Sequence, residues 1–173
     1  SKKPTIKIGI VLPLTGDASP FGKSTQTTTN MAIDKIKSLN TKYNYEFIIE
    51  DGKLDGKRIT SIINQFVNID NVSAIVSILS NSYLIVNNYS KQNKIINVGC
   101  SWQNAGEGYN INSSNSAESY IEKIISEFNK RHIKNVGIVN TMNAGGSIFH
   151  DKLKEALKKN NLNLVFNDSG IYP

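Results

Sequence analysis

Apolar residues recur along this chain with two alternating periods. From Ile6 to Leu12 they alternate with Lys7 and Gly9, are rich in β-branched types and stop at Pro13, which predicts a buried strand running into a loop. A turn-rich stretch from Thr15-Gly16-Asp17 to Gly22 follows, and then Thr28, Met31, Ala32, Ile36 and Leu39 recur at helical spacing up to Asn40. Tyr45 to Glu50 predicts a second strand. Ile59, Ile62, Ile63, Phe66 and Val67 form the clearest amphipathic stripe in the chain, and such a face demands a sheet to bury it. Ala74 to Leu79 predicts a third strand, Leu84 to Gln92 a shorter helix and Ile95 to Val98 a fourth strand. Beyond the Gly- and Asn-rich connection Ala105 to Asn115, a helix is marked by Tyr120, Ile121, Ile124, Ile125 and Phe128, and Val136 to Val139 predicts a strand. A last helix (Ile148, Phe149, Leu153, Ala156, Leu157) and strand (Leu162 to Phe166) complete the pattern.

Regular alternation of strand and helix with short connections predicts an α/β fold, a doubly wound and mostly parallel sheet with helices on both faces. The Asn-rich joint divides four strand units from two. The expected organisation is a first α/β lobe over 1–115 carrying the ligand loops, and the start of a second, similar lobe over 116–173.

Composition narrows the function. The 173 residues carry 20 Lys and Arg against 14 Asp and Glu, a formal charge of +6. The basic residues are scattered as Lys35 and Lys37, Lys57-Arg58, Lys130-Arg131 and Lys158-Lys159, so they read as solvated faces and no nucleic-acid partner is expected. Cys100 is the single cysteine, which excludes an intrachain disulfide and a Cys-x-x-Cys site. No apolar run approaches the roughly 20 residues a bilayer requires. Ser1-Lys2-Lys3-Pro4 leads directly into a strand without the apolar region of a secretory signal.

In an open parallel sheet, ligands bind beyond the carboxyl ends of the strands. Three predicted loops lie there: Leu14 to Gly22, Ser80-Asn81-Ser82 and Gly99-Cys100-Ser101-Trp102. Ser80 to Ser82 precede a helix, where hydroxyls and backbone N–H groups either receive a small anion or simply cap the helix. Enzyme signatures are missing: no phosphate-binding glycine motif, no His-Glu-x-x-His and no Gly-x-Ser-x-Gly occurs. His132 and His150 have no spaced metal partner and read as solvated. Cys100 lacks an identifiable activating histidine and reads as a small hydrophobe, with an α/β enzyme using Cys100 kept as an alternative. Asp51 and Asp55 read as shaping the turn and starting the next helix.

Lys7-Ile8-Gly9-Ile10-Val11-Leu12-Pro13-Leu14-Thr15-Gly16, Phe21-Gly22 and Met31-Ala32-Ile33 resemble the opening of the branched-chain amino-acid type of periplasmic binding protein, the type I solute receptors of ABC importers. Glu50-Asp51-Gly52-Lys53-Leu54-Asp55 is similar to that family's acidic turn, and Ala74-Ile75-Val76-Ser77 to the strand before its first ligand loop. The resemblance implies that Ser80, Asn81 and Ser82 with Gly99, Cys100 and Ser101 hold the carboxylate and ammonium of an amino acid, and that Phe21 packs on it. Trp102 either stacks on the ligand or covers the sheet edge.

This chain departs from the family at Thr28 and Ser77, each at the place of a usual glycine, and at Gly145, where the family has a ligand-contacting tyrosine. The resemblance covers less than half of a typical member. It implies an extracytoplasmic binding protein, periplasmic or extracellular, without catalysis or cofactor, serving a membrane permease of an ABC importer. A ligand-sensing receptor ectodomain of the same fold is the alternative, and a homodimer through the incomplete sheet edge is a further expectation.

Overall fold

The computed structural model describes residues 3–102 and 108–170. The described elements run β1 (Thr5–Leu12), α1 (Ser19–Ser38), β2 (Asn44–Asp51), α2 (Gly56–Gln65) with a π-helical turn (Phe66–Asp70), β3 (Ala74–Ile78), α3 (Ser80–Asn93) and β4 (Ile96–Cys100). They continue with β5 (Asn110–Asn112), α4 (Ala117–Lys130), β6 (Asn135–Thr141), α5 (Ala144–Lys159) and β7 (Asn163–Gly170). The α/β class read from the two periods is the class observed. Two compact units result among the described residues: 3–100 with 108–111, and 101–102 with 112–170.

In the first unit the strand order is β2-β1-β3-β4-β5. β1 pairs in parallel with β2 and β3, and β3 with β4. Alternation along β1 sends Val11 to one face and Ile10 and Leu12 to the other. Val11 joins Ile75 beneath Ile59, Ile63, Phe66 and Val86 of α2, the π turn and α3. Ile10 and Leu12 pack with Ile33 of α1 on the opposite face. Each strand therefore needs apolar residues in succession, which is why β1 reads as nearly continuous Ile and Val. Gly9 is the exception with a cause: a Cβ there would stand 2.4 Å from Cδ2 of Phe66, so the glycine admits the ring. Burying Phe66 contributes on the order of 1.5–3 kcal/mol.

In the second unit β6 and β7 pair in parallel, with a register shift between Val136 and Gly137. Ala117, Ile121 and Ile125 of α4 and Leu153 and Leu157 of α5 pack on Val136 and Ile138. Val139, turned to the other face by the strand period, is exposed, as is Phe166.

Several elements differ from the sequence reading. α1 starts at Ser19, ahead of its apolar stripe, because Pro20 suits a first helical turn. Met31 and Thr28, placed on the apolar face by spacing, are exposed; α1 buries only Gly22 and Ile33. α3 begins at Ser80, so Ser80 to Ser82 form its first turn and not a loop. β4 runs on through Gly99 and Cys100. The three-residue β5 went unseen inside the predicted connection Ala105 to Asn115, of which 105–107 lie outside the described residues.

Candidate ligand site at the strand ends

Strand order in the first unit reverses between β1 and β3: the chain steps from β1 to β2 on one side, then returns to β3 and β4 on the other. Parallel pairing puts Leu12, Asp51, Ile78 and Cys100, the last residues of β1 to β4, on one edge. A crevice beyond the carboxyl ends at such a reversal is where open α/β sheets bind ligands.

Asp51 organises that edge. Its Oδ1 accepts from the N–H groups of Leu14 at 2.8 Å, Lys53 at 3.0 Å and Thr15 at 3.3 Å, while Oδ2 accepts from the Thr15 hydroxyl at 2.5 Å. Burial by itself would raise the Asp51 pKa, yet the Thr15 hydroxyl and the Lys53, Leu14 and Thr15 amides favour the anion and hold it below its ordinary value. The carboxylate thus ties the loop after β1 to the turn after β2. Asp55 accepts from the Arg58 N–H at 2.7 Å and caps α2, the role its position suggested.

The same turn reaches the start of α3. Asn81 donates from Nδ2 to the Leu54 carbonyl at 2.9 Å, so its side chain positions rather than projects. Leu79, the N-cap residue, has φ 71 and supplies no capping side chain. A non-glycine residue at positive φ is strained and persists only where surroundings enforce it. Ser80 and Ser82 are buried in the first turn.

Phe21 lies in the first turn of α1 and is 48% exposed. Its neighbour Gly22 presses against the end of β1, where an added Cβ would stand 1.9 Å from the Pro13 carbonyl oxygen. The glycine fixes where α1 begins and therefore where Phe21 stands.

At the end of β4, Gly99 is buried beneath the Tyr83 ring and Cys100 is exposed. Ser77, fully buried, donates from Oγ to Asn97 Oδ1 at 2.8 Å, and Asn97 Nδ2 donates to Asn110 Oδ1 at 3.0 Å. This chain of three buried polar side chains crosses β3, β4 and β5. Sequence periodicity did not expose it, because Asn is abundant throughout. Tyr83 Oη and Asn87 Oδ1 are buried without a partner among the described residues, and burial raises the Tyr83 pKa.

Ser101 and Trp102 belong to the second unit. Asn112 Oδ1 and Ser114 Oγ each accept from the Ser101 N–H at 3.2 Å, and Asn112 Nδ2 and Ser114 Oγ donate to its carbonyl. Both peptide groups of Ser101 are thereby engaged within the protein. Trp102 meets Tyr120 and Phe149 edge-on, at centroid distances of 5.1 and 5.3 Å. At the start of α5, Asn143 accepts from the Gly146 N–H at 2.8 Å. His150 is not solvated as expected: its ring nitrogens stand 2.9 Å from Asp151 Oδ1 and from Asn167 Oδ1. Among the described residues, no cluster of His, Cys, Asp and Glu suits a metal ion.

A family model described as "Periplasmic binding protein" matches residues 5–169. No curated protein matches the chain. Among solved structures, an ABC-transporter solute-binding protein from Rhodopseudomonas palustris in complex with 3,4-dihydroxybenzoic acid has a TM-score of 0.81 at 18% identity, over 95% of this chain and 47% of that one. A second solute-binding protein from R. palustris, in complex with benzoate, has a TM-score of 0.80 at 12% identity, over 98% and 49%. A leucine-binding protein from Thermotoga maritima has a TM-score of 0.81 at 14% identity, over 94% and 48%. This chain spans about half the length of the structures it matches.

Proposed function

The chain belongs to the periplasmic binding protein family, and from that premise we propose that it binds a small polar ligand, such as an amino acid, on behalf of an ABC importer outside the cytoplasm. The family and its structural neighbours are binding proteins rather than enzymes. One observation carries the reading: the sheet order reverses between β1 and β3, and the loops beyond both strands are tied together there by Asp51 and Asn81. In this reading Phe21 offers an exposed ring to the apolar part of the ligand. Asn81 and Ser82 offer first-turn N–H groups of α3 to its carboxylate with Ser80 beside them, and Gly99 and Cys100 border it from the β4 side.

An amino-acid carboxylate suits a helix N-terminus that no side chain caps. Benzoate, carrying the same group on an aromatic body, suits it equally, and Phe21 favours either apolar body. Binding at one wall of a cleft is expected near millimolar, roughly −4 kcal/mol. The test is amide chemical-shift perturbation during titration with leucine, benzoate and glycinamide. Leucine or benzoate should move the resonances of residues 80–82, 99 and 100 where glycinamide, lacking a carboxylate, does not. Equal perturbation by all three, or shifts confined elsewhere, would refute the assignment.

A further inference from the structure

We propose that the strand-start pole of the first unit, opposite the candidate site, is a docking surface for an anionic lipid bilayer. The inference uses the importer reading only to account for why a membrane is nearby.

The basic pairs that look scattered in sequence converge in the fold. Helices of a right-handed α/β unit end where strands begin. Lys35 and Lys37 occupy the last turn of α1, Lys91 that of α3, and Lys94 caps α3. Lys3 precedes β1 and Lys42 precedes β2. Lys3 Nζ donates to Asn40 Oδ1 at 3.1 Å, joining the start of β1 to the end of α1. All six lysines are exposed. Against them stand Asp34 on α1 and Asp70, which accepts from Gln65. Lys7 and Glu46, one step further in, are register partners of opposite sign.

Lysines in a last helical turn complement the helix dipole, which accounts for Lys35, Lys37 and Lys91. It does not account for Lys3 and Lys42, nor for the apolar side chains among them. Leu39 and Tyr43 flank the turn between α1 and β2, Ile96 opens β4, and Ile69, 73% exposed, lies next to the end of the π turn; all four are exposed. A concavity of about 390 Å³ is bordered by Lys3, Lys37, Leu39, Tyr43 and Tyr45. Lysine stems with projecting Leu, Ile and Tyr are the composition that settles into a headgroup layer, whereas a nucleic-acid surface has no use for an exposed isoleucine. Docking by this pole leaves the opposite edge, with Phe21 and the start of α3, open to solute.

The test is co-sedimentation of the full chain with vesicles of equal parts phosphatidylglycerol and phosphatidylcholine, with pure phosphatidylcholine, and separately with duplex DNA. The wild type should bind the anionic vesicles and be released at about 0.5 M NaCl, where screening is strong. The variant K35E/K37E/K42E should lose about tenfold or more in partitioning. K23E/K53E/K57E, with the same change in net charge at the opposite edge of the same unit, should keep most of it. The neutral variant K35Q/K37Q/K42Q serves if charge reversal impairs folding, and should show an intermediate loss. Equal loss in both triple-Glu variants, no binding to anionic vesicles, or binding to DNA without binding to vesicles would overturn the proposal. None of these outcomes touches ligand binding, which the leucine and benzoate titrations report independently.

Discussion

The Tyr83 ring covers Gly99 so closely that a Cβ at position 99 would stand 2.1 Å from Cδ2, on the inner side of the candidate site. Helix α3 and strand β4 are interlocked at this contact. Gly99→Ala should force the ring outward and cost about 1–3 kcal/mol, the range for overpacking. Tyr83→Phe should be close to neutral, because the hydroxyl it removes has no partner among the described residues and is costly where it lies. Urea denaturation of the two variants checks the pair; a destabilised Tyr83→Phe would mean that the hydroxyl is satisfied by solvent in the native state.

Asp51 predicts a pH dependence with a definite sign. Its folded pKa lies below its ordinary value, so the native state favours the carboxylate. The stabilisation is fully present above the unfolded value of about 4 and is lost as pH falls through the folded value. Asp51→Asn removes the negative charge and one of the two acceptor oxygens, and should lower the melting temperature at neutral pH. It should also flatten the decline of melting temperature below about pH 4 relative to wild type. Melting scans from neutral to acid pH decide this, and parallel curves for both proteins would remove Asp51 from the account.

The large architecture was legible because both faces of the first sheet are covered, which forces Ile10, Val11 and Leu12 to be apolar in succession and puts a stripe on α2. What periodicity cannot carry is polar organisation. Asn97 looks like any other Asn of this Asn-rich chain, yet it joins Ser77 to Asn110 across three strands. Ser80 to Ser82 were visible as small polar residues, but that they begin the helix depends on Leu79 taking φ 71, which no side-chain pattern announces. The basic pole was hidden for a related reason: its lysines, from Lys3 to Lys94, are spread over most of the first unit's sequence, and only the repeated return of each helix brings them together.

Ser77 and Asn97 should therefore be coupled. Asn97→Val strands the Ser77 hydroxyl in a buried site, at about 1–3 kcal/mol. Ser77→Ala alone should cost a comparable amount by leaving an Asn97 acceptor unpaired, but much less in the Asn97→Val background, where nothing remains to pair. A double-mutant cycle should return an interaction of roughly 0.5–3 kcal/mol. Strict additivity would show that the two side chains are neighbours without energetic consequence.

Gly22 and Gly56 make the sharpest comparison, because both lie in first turns of helices and intrinsic propensity predicts the same sign for each. Replacing helical Gly by Ala gains up to about 1 kcal/mol from propensity alone. At Gly56 the new Cβ would meet only Ile85 Cδ1 at 3.6 Å, an ordinary contact, so Gly56→Ala should stabilise by a few tenths up to about 1 kcal/mol. At Gly22 the Cβ would stand 1.9 Å from the Pro13 carbonyl oxygen, and backbone cannot rotate away as a side chain can. The start of α1 must then shift, at a cost of about 1–3 kcal/mol that outweighs the propensity gain. Because Phe21 moves with it, Gly22→Ala should also weaken the leucine and benzoate perturbations at residues 80–82, whereas Gly56→Ala should leave them intact. Stability and titration curves measured on both variants test the two halves of this claim separately, and stabilisation by Gly22→Ala would show that the Gly22–Pro13 contact does not hold the site.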